Sequence, residues 1–75
     1  MKEKIIEIIN SVLIESNIKL DETKSFTEQQ IDSLDGMEFM LLIEDEFNID
    51  IPDDDLQKLT NVQAIVDYVR SKNNG

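Results

Sequence analysis

The stretch Asp32-Ser33-Leu34-Asp35 holds the residues of this chain whose types and spacing could do chemistry. A serine at the start of a helix, set among carboxylates and followed by apolar residues that point away from a core, has the makings of an attachment point. It does not have the makings of a catalytic centre. The chain contains no His and no Cys, which removes imidazole bases, thiolate nucleophiles, disulfides and the usual zinc ligands together. Carboxylates are plentiful, but nothing sequesters a pair of them and no nucleophile–base arrangement is evident. The acidic run from Asn48 to Asp55 has no glycine at its sixth position and is interrupted by Pro52, so a calcium loop is rejected and no metal site is expected. A phosphate diester on the Ser33 hydroxyl, by contrast, would lie at a helix N-terminus, near free backbone N–H groups and the positive end of the helix dipole.

The elements that must position this serine fit in 75 residues. A chain of that length buries only roughly 60% of its unfolded surface, enough for one small core. No apolar run approaches the roughly 20 residues needed to span a bilayer, so no membrane insertion is expected. The stretch Met1-Lys2-Glu3-Lys4-Ile5-Ile6 has neither a long apolar run nor a small-residue cleavage site. No signal peptide is therefore read, and the cytoplasm is the expected compartment. The net charge of −10 is unevenly spread: ten acids lie between Asp32 and Asp55, and no Lys or Arg occurs between Lys24 and Lys58. Nucleic acid needs the opposite sign, so it is not an expected ligand. Basic protein surfaces are the natural partners of such a field. A solvated acidic face serving solubility is the competing explanation.

Four helical segments can be placed. The first runs from about Lys2 to Ser16, with Ile5, Ile8, Ile9, Val12 and Leu13 at helical spacing. Residues 17–31 form a long polar connection that Ile18, Leu20 and Phe26 should anchor to the core. The second helix begins at Ser33, with Asp32 as N-cap and Asp35 where a capping box places its acid, and fades near Asn48. A short third helix, about Asp53 to Leu59, follows Pro52 with acids in its first turn. Thr60 should cap the fourth helix, with Gln63 completing a capping box and Val62, Ile65, Val66 and Val69 as its apolar stripe. Residues 71–75 read as a frayed tail. The expected fold is all-α: a small four-helix bundle of three longer helices and one short third helix, with a long first loop.

At about 100° per residue the second helix carries two apolar stripes. Phe39, Met40, Ile43 and Phe47, with Gly36 among them, make a core stripe. Leu34, Met37 and Leu41 fall on the opposite side, which Glu38 and Asp45 share and which Asp35 and Glu44 border. Leu42 lies on the flank. Both stripes cannot be buried in so small a domain. The second is expected to be a docking surface, apolar anchors inside a ring of charge, where the flexible Met37 side chain adapts to different partners. Contact of Leu34 and Leu41 with the long loop is the alternative.

The stretch from Asp32 to Asp53, DSLDGMEFMLLIEDEFNIDIPD, resembles the acyl carrier protein family without a gap. It has that family's Asp-Ser-Leu tripeptide, an acidic and apolar helix, an acidic trio before a Phe, and Ile-Pro-Asp. The likeness continues through Lys58-Leu59-Thr60, Val62-Gln63-Ala64 and Asp67-Tyr68, covering about half the chain in one register. It implies that residues 1–75 form a single carrier domain with an acyl-carrier-like fold. It also implies a 4′-phosphopantetheine arm on Ser33, beside Asp32 and Leu34, installed from coenzyme A by a separate phosphopantetheinyl transferase. The arm ends in a thiol that holds acyl groups as thioesters, which suits a chain without cysteine. By the same resemblance the partner-binding residues are Asp35, Met37, Glu38, Leu41, Glu44 and Asp45, extended by Ile51 and Asp53. The implied partners are basic surfaces of the transferase and of acyl-chain-processing enzymes, met by a monomer that is itself not an enzyme. Phe47, Leu59 and Ala64 are the residues expected near a sheltered acyl chain.

Two departures from the family stand out. The approach Glu28-Gln29-Gln30-Ile31 lacks the usual glycine, and Gly36 replaces a residue with a side chain, at a cost of about 1 kcal/mol in a helix. Fatty acid biosynthesis is the first expectation for the pathway. A dedicated carrier of a polyketide, nonribosomal peptide or surface-lipid pathway is the alternative. An acidic helical adaptor without a prosthetic group is the alternative of another class.

Overall fold

Isoleucines and valines at helical spacing decide where the core forms. The computed structural model describes residues 1–74, and the side chains of residues 1–73. It contains α1 (Lys2–Leu13), α2 (Ser33–Phe47), α3 (Asp53–Leu56) and α4 (Val62–Asn74), with no strand among the described residues. The expected all-α, four-helix architecture is the one observed. Helix α1 packs against both α2 and α4. Its stripe of Ile5, Ile8, Ile9, Val12 and Leu13 is buried against Phe39, Met40 and Ile43 of α2 and Val62, Ile65, Val66 and Val69 of α4.

The ends of the elements differ from expectation in ways the hydrogen bonds explain. The last turn of the first segment, Ile14–Ser16, tightens into a 3₁₀ turn and stops at Asn17, which takes the left-handed conformation. Helix α3 is shorter than expected: after Leu56 the chain continues in i→i+3 bonds from Lys58 N–H to the Asp55 carbonyl and from Leu59 N–H to the Leu56 carbonyl. Asn61, not Thr60, caps α4, its side-chain oxygen accepting the Ala64 amide at 2.8 Å. The Thr60 carbonyl instead accepts the Phe26 amide at 2.8 Å, and Gln63 donates to Asp67 along the helix. Helix α4 also continues through Ser71–Asn74, most of the segment expected to fray. Lys72 lies 5.4 Å from the centroid of the Tyr68 ring, and its charge sits in the last turn, where the helix dipole favours a cation. Gly75 lies outside the described residues.

The long connection between α1 and α2 is ordered by side chains. Ile18, Leu20 and Phe26 pack on the core as expected, joined by Ile31. The Phe26 ring meets Phe39 edge to face at a centroid distance of 5.2 Å. Gln29 crosses the loop, accepting from the Asp21 amide at 2.8 Å and donating back to the Asp21 carbonyl at 2.9 Å. Ser25 and Glu28 bond each other's backbone amides reciprocally. Gln30, in the approach to Ser33 that lacks a glycine, adopts a left-handed φ of 61°. The left-handed conformation is taken there by a residue that carries a side chain.

Candidate functional site

Helix α2 starts at Ser33 because Asp32 stops the chain in an extended conformation and turns its carboxylate onto the Leu34 amide, 3.2 Å away. Asp35 does not complete a capping box. Its Oδ2 accepts from the Ser16 hydroxyl at 2.6 Å, which ties the end of the first helical segment to the start of α2. Ser33 itself is exposed, and its hydroxyl makes no hydrogen bond among the described residues. The Ser33 and Asp35 amides likewise meet no acceptor among those residues. The serine thus presents a free oxygen beside unsatisfied donors at the positive end of a 15-residue helix, the setting a phosphodiester needs. A 4′-phosphopantetheine group fits this arrangement: its phosphate would meet the free amides, and nothing crowds the hydroxyl.

The outward stripe of α2 is exposed as expected. Leu34 is 71% accessible, Met37 63% and Leu41 61%, so the long loop does not cover them. Leu42 on the flank is exposed too. Glu38 and Asp45 stand exposed beside these side chains, and Asp35 is half-buried. No ion pair among the described residues involves an acid between Asp32 and Asp55; the ion pairs present lie around α1.

Two residues expected on this face have structural duties instead. Ile51 is only 4% accessible and belongs to the core, so the exposed face does not continue through it. Glu44 is half-buried, and its Oε2 accepts the Ile51 amide at 3.0 Å, holding the chain that leads from α2 to α3. Periodicity alone could not find this bond, because the acceptor and donor lie on different elements. Asp53 remains exposed at the start of α3.

Between α2 and α3 opens a cleft of about 450 Å³. Phe39, Met40, Ile51 and Leu59 form its apolar floor, while Met37 and Leu41 bring the outward face of α2 to its rim and the half-buried Gly36 lies beside them. Leu59 is thus a cleft residue as expected, but Phe47 and Ala64 do not line it. Phe26 and Leu56, which sequence reasoning did not assign to it, do. Phe26 comes from the long loop, and only the tertiary fold brings it there.

On the far side of α3, the Tyr68 hydroxyl donates to Asp55 Oδ2 at 2.7 Å, linking α3 to α4. That hydrogen bond, with burial and the negative charge of Asp55 adding to it, pushes the Tyr68 hydroxyl up to about 12. Among the described residues no cluster of acids could hold a metal ion, and no helix is long and apolar enough to cross a membrane.

Fold and site together define a small helical domain with an exposed serine at the mouth of its second helix. The family model described as "Phosphopantetheine attachment site" matches residues 3–69. The acyl carrier protein of Buchnera aphidicola subsp. Schizaphis graminum (strain Sg) is 40% identical over 77 aligned positions, covering 97% of this chain and 94% of that protein. The chain belongs to the acyl carrier protein family, whose members are carriers and not catalysts and whose prosthetic group is 4′-phosphopantetheine.

Proposed function

We propose that this protein carries acyl intermediates on Ser33 and delivers them to partner enzymes of fatty acid biosynthesis. The observation that carries the proposal is the unpartnered, exposed hydroxyl of Ser33 at the start of α2, continuous with an apolar face ringed by unpaired carboxylates. When bound, the phosphopantetheine group supplies a terminal thiol that holds acyl groups as thioesters.

The chain's own residues do the rest. The Ser33 oxygen would take up the arm as a new O–P bond while the pyrophosphate bond of coenzyme A breaks and adenosine 3′,5′-bisphosphate leaves. Asp32 and Asp35 flank the serine along the chain and accept from the Leu34 amide and the Ser16 hydroxyl, and neither bonds the Ser33 hydroxyl. The base that takes the serine proton is accordingly assigned to the phosphopantetheinyl transferase. The free Ser33 and Asp35 amides at the helix start would hold the phosphodiester, and Asp32, capping the Leu34 amide, fixes where the helix begins. Leu34, Met37 and Leu41 are the apolar anchors for partners, and Asp35, Glu38, Asp45 and Asp53 set the charge that basic enzyme surfaces match. Glu44 acts at this face by holding Ile51 and the α2–α3 connection in place. The cleft behind Met37 and Leu41 shelters the acyl chain. The protein works as a monomer in the cytoplasm.

Incubation with coenzyme A, Mg²⁺ and a broad-specificity phosphopantetheinyl transferase tests this. The intact mass should rise by one arm, and Ser33→Ala should abolish the gain. No gain with several transferases would favour an adaptor without a prosthetic group.

A further inference from the structure

Gly36 is the cleft-lining residue nearest to Ser33 along α2, one helical turn beyond it. A glycine inside a helix normally answers a need, either a left-handed backbone or a close neighbour. Neither applies here. No glycine among the described residues has a positive φ, and a Cβ placed on Gly36 would meet nothing within 4 Å. The glycine is also unfavourable for the helix that contains it. What its missing side chain leaves is open space at the rim of an apolar cleft, on the side of the attachment serine.

We propose that Gly36 sets which cargo this carrier shelters, by widening the cleft for acyl groups branched next to the thioester. The inference rests on the carrier function proposed above. An acyl chain enters the cleft with its distal end first, because the floor of Phe39, Met40, Ile51 and Leu59 is apolar and the rim is mixed. The carbons beside the thioester then lie at the rim, where Gly36 leaves room for a substituent. A side chain at this position would occupy that room and leave a straight chain its path along the floor. Among the α2 residues that line the cleft Gly36 alone has no side chain, whereas Met37, Phe39, Met40, Leu41 and Glu44 each already fill their own place.

The test loads wild type, Gly36→Ala and Gly36→Leu from coenzyme A, octanoyl-coenzyme A and 2-methylbutanoyl-coenzyme A, using the same transferase. Intact mass gives loading, and melting temperature with and without cargo gives sheltering. All three proteins should load equally, and both variants should melt higher than wild type before acylation. Wild type should gain melting temperature with either cargo. Gly36→Leu should keep most of the octanoyl gain and lose the 2-methylbutanoyl gain, with Gly36→Ala between. Equal gains from the two cargoes in wild type and in both variants overturn the role of Gly36 while leaving the carrier function standing. Failure of wild type to load at all overturns both.

Discussion

Glu38 and Glu44 both belong to the acidic surround of the outward stripe of α2, yet they differ in what they hold. Glu38 is exposed, whereas Glu44 accepts the Ile51 amide and so fixes the route from α2 to α3. Glu38→Lys should slow acyl transfer to partner enzymes several-fold and leave the circular dichroism spectrum unchanged; unaltered transfer rates would remove the case for an acidic docking face. Tyr68 offers a cleaner probe, because it is the only tyrosine in the chain. Its hydroxyl donates to Asp55, and a phenolate could not, so the neutral form is the one the fold favours. The folded pKa of about 12 lies above the ordinary value of 10. The stability from this contact is therefore complete below about 10 and lost as pH rises toward about 12. Ultraviolet titration should place the transition near about 12 in wild type and nearer the ordinary value in Asp55→Asn. Gln30 is a third informative position. Its left-handed φ of 61° disfavours any side chain, so Gln30→Gly should stabilise the protein by about 0.5–1 kcal/mol, offset in part by the freer unfolded chain. Chemical denaturation reads that difference; a destabilised variant would show that the glutamine side chain contributes more than its backbone costs.

At the scale of elements, the core stripes of α1, α2 and α4 were legible because their apolar spacing is regular and the fold buries what the spacing selects. The outward stripe of α2 was legible for the complementary reason: a second apolar face has nowhere to go in a chain of 75 residues. What periodicity could not show is where backbone groups without helical partners would find them. The Thr60 carbonyl is taken by Phe26 from the distant loop, which leaves Asn61 to cap α4. Asp35 is drawn to Ser16 and so leaves its expected capping role. Ile51 sits in the core because Glu44 holds its amide, though its place beside Pro52 and Asp53 gave no sign of burial. The first two join residues far apart along the chain and the third ties α2 to the connection after it, and each displaces a locally sensible choice.

Across the whole molecule, charge is separated. Of the seven basic residues Lys2 and Lys4 pair with acids around α1, Lys2 meeting Glu22 at 3.0 Å, while the acids from Asp32 to Asp55 have no ion pair among the described residues. Millimolar Mg²⁺ should raise the melting temperature by relieving their mutual repulsion, in a scan across a divalent titration; a flat response would mean the acids are already well solvated and far enough apart. Under the proposed function the same imbalance attracts basic partner surfaces at long range, an attraction that weakens with salt. The proposed function places docking and loading together at the start of α2. Peptide mapping of the transferase-treated protein tests that placement most directly. No lysine lies between Lys24 and Lys58, so a lysine-specific protease releases the fragment of residues 25–58 intact, with Ser25 and Ser33 both inside it. Fragmentation of that peptide should place the arm on Ser33 alone; an arm on Ser25, on another fragment, or on none would contradict the assignment.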